Sequence, residues 1–291
     1  MVNYQNCKLC PRQCGVDRTK GERGYCNMPD KPILAKAMIH MGEEPPIIGE
    51  HGTGAVFFSG CTLGCSYCQN IDISRYGKGI EATDLRRTFE SLTEKGAQTL
   101  DLVTPSHFLP HVVKALYPKL PVPVVYNCGG YESVDSLKAL EGLVDVYLPD
   151  LKYSDNALGW KLSRCKDYFK TAQNAILEMF RQTGKYRIEN GILQKGVLIR
   201  HLVLPGCVDN SLGVIDWIGD TFKRDDVLFS LMSQYVPSPE LPAPFDRRIT
   251  EDEYAAVESW MEFCGIRYGY TQDFTSATTE YLPDFNLEGI F

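Results

Sequence analysis

The sequence predicts an α/β fold: six strands alternating with helices on a mainly parallel sheet, preceded by a small cysteine-rich cap. Two observations carry this. From residue 55 onward, short apolar runs alternate with amphipathic stretches. The runs are continuous in Val, Ile and Leu, as in strands buried on both faces of a parallel sheet. Right-handed crossovers then give either a doubly wound sheet or a barrel, and six units are too few to close an eight-fold barrel. An open partial barrel and a doubly wound sheet both satisfy the pattern.

The elements follow in order. Residues 1–54, rich in Cys, Gly, Pro and charge, read as a metal-held cap with a connecting segment. Residues 55–272 form the βα body, and 273–291 a C-terminal tail. Strands are expected at 55–59, 99–103, 122–126, 144–148, 197–204 and 227–232, with a last short strand at 266–270. Helices are expected at 83–95 behind Thr83, 106–117 behind Ser106 and 133–141 behind Ser133. Further helices are expected at 155–183, 209–222 and 250–264, the last opened by a Thr250–Glu253 capping box.

Composition narrows the class. The chain has 291 residues, 44% hydrophobic and 23% charged, near the globular average. No run approaches the ~18–20 apolar residues of a membrane span. The opening MVNYQNCKLC has no basic n-region or long apolar stretch, so no signal peptide is expected and a cytoplasmic location is. A net charge of −7 makes nucleic acid a poor partner. Eleven cysteines are present, and clustered cysteines in a reducing compartment point to metal or redox chemistry rather than disulfides. The scattered Cys128, Cys165, Cys207 and Cys264 read as small buried hydrophobes.

The loop after the first strand, Gly60-Cys-Thr-Leu-Gly-Cys-Ser-Tyr-Cys68, spaces Cys61, Cys65 and Cys68 as C-x3-C-x2-C. Three thiolates in eight residues can wrap one face of a 4Fe–4S cluster, leaving one iron open. An open position marks a catalytic centre. Such an iron can take up amino and carboxylate groups and pass on an electron, the requirement for reductive cleavage of S-adenosylmethionine (SAM) to a 5′-deoxyadenosyl radical. A zinc knob or a redox pair is the alternative.

These residues, with CKLCPRQCGVDRTKGERGYC, HMGEEPP, LVTPSH, YNCGGY, DVYLPDLKY and LIRHLVLPG, resemble radical SAM proteins of the pyruvate formate-lyase activating enzyme-like group. They are most similar to a branch with an extra N-terminal four-cysteine motif. The resemblance covers nearly the whole chain. It implies a partial (β/α)6 TIM-like barrel with the cluster at the C-terminal ends of the strands. It implies SAM contacts from Tyr67 near the adenine, from the loop at Thr104, and from Asn127, Asp150, Lys152 and Arg200. Relatives often carry Gly-Gly-Glu where this chain has Thr104-Pro-Ser-His107, which leaves backbone carbonyls for that role. Gln234 and Tyr235 stand where activating enzymes tend to show a His-containing stretch. Asp150, Lys152 and Arg200 also read as a structural salt-bridge set. The resemblance further implies an electron donor such as flavodoxin or ferredoxin. The substrate is either a glycyl radical enzyme or another protein, peptide or small molecule; a non-catalytic iron–sulfur carrier is the remaining reading.

Cys7, Cys10, Cys14 and Cys26 supply four thiolates in twenty residues, enough to close a second site holding zinc or a 4Fe–4S cluster. Arg12, Arg18, Lys20 and Arg23 lie between them and can offset thiolate charge. His40, Glu43 and Glu44 in HMGEEPP either reach the strand ends or lie on a solvated loop. His107 is either a general acid or a polar residue of a first helical turn.

Overall fold

The computed structural model describes residues 3–238, 240–272, 274 and 283–291. Of the expected C-terminal tail, 273 and 275–282 lie outside the described residues. The strands are β1 (Ile33–His40), β2 (Thr53–Phe58), β3 (Ile80–Glu81), β4 (Leu100–Val103), β5 (Val124–Cys128), β6 (Val146–Pro149), β7 (Arg187–Glu189), β8 (Ile192–Leu202), β9 (Leu228–Met232) and β10 (Gly269–Thr271). The helices are α1 (Pro45–Ile48), α2 (Ile71–Ser74), α3 (Leu85–Glu94), α4 (Leu109–Ala115), α5 (Val134–Lys138), α6 (Asn156–Ser163), α7 (Tyr168–Thr183), α8 (Val208–Thr221) and α9 (Glu251–Phe263).

The sheet order is β10-β9-β8-β6-β5-β4-β2-β1-β3, with β7 beside β8. Every pair from β2 to β10 along this path is parallel. β1 runs antiparallel to β2 and β3 antiparallel to β1. The parallel strands follow one another in chain order from β2 to β10 with no reversal such as a doubly wound sheet has, and β3 and β10 stay at the edges, so the sheet is an open partial barrel. The six expected strands are β2, β4, β5, β6, β8 and β9. Among the described residues no helix is long and apolar enough to cross a membrane.

The pleat sorts side chains into two faces. On the outer face Leu100, Leu102, Val124, Tyr126, Tyr147 and Ile199 pack with the helices in one large cluster. On the inner face Val125, Val146, Leu198 and Leu228 surround Ile47 of α1, which plugs the base of the barrel. The same alternation turns Asp101, Asn127 and Arg200 inward, in register with their neighbours.

Four local expectations need correction. Residues 33–40, expected as connecting chain, form β1, whose outer edge meets the C-terminal segment: Ala37 N–H donates to Glu288 O at 3.0 Å and Leu287 N–H to Ala35 O at 3.1 Å. The helix expected over 155–183 is two helices, broken at Arg164 in the left-handed conformation (φ 53°). The cap of α3 is Asp84 rather than Thr83. Ser106 opens a short 3₁₀ turn instead of capping a helix, and its hydroxyl donates to Glu132 at 2.6 Å. The Thr250–Glu253 capping box is present in both directions.

Candidate active site

At the end of β2 the chain turns sharply at Gly60 (φ +81°), where a Cβ would lie 2.4 Å from Met28 and 2.9 Å from the Cys26 carbonyl. The following loop brings Cys61, Cys65 and Cys68 to one cavity of about 260 Å³ at the C-terminal ends of the strands. Each sulfur faces a donor. Leu63 N–H points at Cys61 Sγ (3.4 Å), the Ser163 hydroxyl at Cys65 Sγ (3.0 Å) and the Ser74 hydroxyl at Cys68 Sγ (3.3 Å). Burial pushes the Cys61 thiol up to about 12 and raises Cys68 as well. Thiolates here therefore need a cationic partner, and soft metals favour such ligands. A 4Fe–4S cube carries each thiolate on a separate iron, a demand that three cysteines of one loop can meet.

The inner polar layer lies beside this loop. Arg200 Nε donates to Asp150 Oδ1 at 2.8 Å, Nη1 to Glu43 Oε2 at 2.8 Å and Nη2 to Asn127 Oδ1 at 2.7 Å. Lys152 Nζ holds the other Asp150 oxygen at 2.5 Å. Asn127 Nδ2 donates to Asp101 at 3.2 Å and Glu43 at 3.3 Å, and Glu44 lies 3.7 Å from Arg200. Burial alone would push the Asp150 carboxyl up; Arg200 and Lys152 override it and hold it below the usual range. Burial also opposes the charge on Lys152 and Arg200, but their carboxylates keep both above the ordinary values. Four carboxyl groups face two cations, so protons are retained. Burial drives Glu43 well up, and raises Asp101 to about 7.

The structure thus brings together Asn127, Asp150, Lys152 and Arg200. It also seats Glu43 and Glu44 among them instead of on a solvated loop. Sequence reasoning missed Asp101, whose only signal was a lone acid inside the apolar LDLV strand. The second glycine of YNCGGY explains the close approach of β5's loop: a Cβ on Gly130 would lie 2.2 Å from Asp150 O. Tyr67 is buried, accepts a hydrogen bond from Tyr153 at 2.9 Å and meets the Tyr235 ring at 5.9 Å. Thr104 lines the cavity in the left-handed conformation (φ 61°), its N–H donating to Asn127 O at 2.8 Å. Such a conformation is rare for a β-branched residue and concentrates at functional sites. His40 and Gln234 also line the cavity. His107 does not. It is buried with Nε2 2.6 Å from Ser59 O, and burial lowers it to about 3, so it stays neutral. The general-acid reading of His107 is therefore set aside.

In the cap, Cys7 and Cys10 are buried, Cys26 partly so and Cys14 exposed. Burial raises Cys10 and Cys26, and their sulfurs feel one another and Cys14. Tyr25 N–H points at Cys14 Sγ at 3.3 Å. The four basic residues divide. Arg18 is buried, with Nη1 3.9 Å from Cys7 Sγ and 2.6 Å from His107 O. Lys20 pairs with Asp17 at the surface, Arg23 bonds neighbouring carbonyls, and Arg12 turns toward the 61–68 loop.

The architecture is an open, partial α/β barrel, and solved structures share it. Over 76% of its length the chain matches Streptococcus suis SuiB bound to S-adenosylmethionine, with a TM-score of 0.50 and 13% identity over 50% of that chain. SuiB bound to precursor peptide SuiA gives a TM-score of 0.51 and 14% identity over 75% of this chain and 48% of that one. The chain spans about half the length of SuiB, and the likeness is one of fold. No protein-family model matches the chain. It is 30% identical over 266 residues to uncharacterized protein MJ0674 of Methanocaldococcus jannaschii, covering 86% of this chain and 72% of that protein. The chain belongs to the family of MJ0674.

Proposed function

We propose that this chain is a radical SAM enzyme. The observation that carries the reading is the meeting, at one cavity, of three thiols with the Asp150–Lys152–Arg200 set. Cys61, Cys65 and Cys68 would hold a 4Fe–4S cluster, which supplies the electron for reductive cleavage of SAM to a 5′-deoxyadenosyl radical that abstracts hydrogen. Lys152 offers a point charge to a carboxylate. The excess of carboxyl groups in the inner layer favours a ligand that brings positive charge, as the ammonium and sulfonium of SAM do. Tyr67, Thr104, Asn127 and Arg200 complete the binding set. An electron donor such as flavodoxin or ferredoxin would reduce the cluster. The four N-terminal cysteines would hold a second metal centre, zinc or 4Fe–4S. We read the substrate as a protein or peptide, a glycyl radical enzyme among the candidates; the peptide bound by SuiB supports that class.

Anaerobically reconstituted protein, dithionite and SAM should release 5′-deoxyadenosine. Changing any one of Cys61, Cys65 or Cys68 to Ala should abolish the release. Release that persists in all three variants defeats the reading.

A further inference from the structure

Arg12 stands between Cys10 and Cys14 in sequence, yet its guanidinium leaves the cap. Nε donates to Thr62 O at 2.9 Å and Nη2 to Leu63 O at 3.2 Å, both inside the C-x3-C-x2-C loop. Nη1 donates to Arg164 O at 2.5 Å and Nη2 to Ser163 O at 2.8 Å, at the C-terminal end of α6. A third group near α6, Cys165 Sγ, lies 3.2 Å from Nη2. One side chain thus ties the thiol loop to a helix end whose carbonyls lack intrahelical partners. The same helix end touches the loop twice more, through Ser163 to Cys65 Sγ and Ser66 N–H to Leu162 O at 2.8 Å.

The cap makes a second contact from its other end. Tyr25, next to Cys26, donates its hydroxyl to Leu63 O at 3.0 Å. Its ring lies under the Arg12 guanidinium at 3.7 Å, with Tyr131 at 5.4 Å. Leu63 O therefore accepts from two cap residues, one midway between Cys10 and Cys14 and one next to Cys26. Only a folded cap presents both at once, because Arg12 and Tyr25 are thirteen positions apart. The cap is itself anchored on the body: Tyr4, Leu9 and Met28 are buried in the main core, and the Ser136 hydroxyl donates to Leu9 O at 2.7 Å.

We propose that Arg12 is a positioning residue for the 61–68 loop, with Tyr25 as its support, so that the placement of Cys61, Cys65 and Cys68 depends on the folded four-cysteine cap. The proposal builds on the reading of that loop as the cofactor loop, but its main test needs no cofactor. Amide hydrogen exchange on the full-length apoprotein compares wild type with Arg12→Ala, Arg12→Lys and Tyr25→Phe. Lysine keeps the charge and loses the planar fork. Exchange over 61–68 and 162–166 should quicken about tenfold or more in Arg12→Ala, the loss expected of charge-assisted hydrogen bonds. It should quicken less in the other two, and stay at wild-type rates in β5 and β8. If Arg12→Ala does not fold, the Lys and Phe variants decide. After reconstitution to equal iron content, the reduced Arg12→Lys protein should also show an altered electron paramagnetic resonance line shape. Loop exchange within about twofold of wild type, or an acceleration spread evenly over β5 and β8, would overturn the proposal. A wild type that releases no 5′-deoxyadenosine would instead defeat the functional reading and leave the exchange result standing.

Discussion

Arg200 spends its donors on three partners at once: Asp150, Glu43 and Asn127. It cannot be removed cleanly. Arg200→Ala would leave buried carboxylates without their cation, a loss of about 3–5 kcal/mol in comparable buried pairs. Chemical denaturation should show that destabilisation. Lys152 is the better probe of SAM binding. Among the described residues its one ion pair is with Asp150, which Arg200 continues to hold. Lys152→Met should therefore fold and load iron, while SAM affinity falls about 10- to 150-fold, the worth of one charge-assisted contact. Calorimetric affinity within twofold of wild type would place Lys152 in a structural ion pair alone. The sequence made Asp150, Lys152 and Arg200 legible because each sits at a strand end beside a recognisable motif. Glu43's seat on Arg200 was not legible, because it depends on α1 plugging the barrel base and carrying the HMGEEPP loop inward.

At the scale of elements, the parallel strands were readable because burial on both faces forces continuous apolar runs. β1 was not, since ILAKAMIH lies among charges and prolines and gains its strand form from pairing with β2 on one side and, far away in sequence, with Leu287 and Glu288 on the other. The break between α6 and α7 was hidden for another reason. No Gly or Pro marks it; Arg164 itself takes the left-handed cap position (φ 53°, ψ 32°). That conformation costs a non-glycine residue about 1 kcal/mol. Arg164→Gly keeps the carbonyl that Arg12 uses and relieves the strain, so the thermal midpoint should rise by about 2 °C. A fall would mean that the Arg164 stack on the Trp160 ring, at 5.8 Å, outweighs the backbone strain.

At the scale of the whole molecule, buried titratable groups with opposite linkage share one interior. His107 and His201 are both buried neutral, lowered to about 3 and about 4 by burial. An unfolded histidine binds its proton near pH 6.5. Their contribution is therefore present above that pH and is lost as pH falls from 6.5 toward 4. Asp101 and Glu132 run the other way. Burial raises each to about 7, so the folded state retains protons that the unfolded chain releases near pH 4. Their contribution is present at low pH and is lost as pH rises toward 7. Between about pH 4.5 and 6.5 two histidines and two acids nearly cancel, and these four leave stability almost flat in that window. Glu132→Gln removes one acid from the balance. Its carboxyl accepts from Ser106 at 2.6 Å and Tyr126 at 3.2 Å, and an amide of the same shape keeps the Ser106 bond. Relative to wild type, the variant should gain stability with rising pH by up to about 1.4 kcal/mol per unit across that window, one proton's worth. Denaturation curves taken every half unit from pH 4.5 to 7 measure the slope. Parallel curves for variant and wild type would show that Glu132 titrates alike in the folded and unfolded chain, and that its burial does not hold a proton.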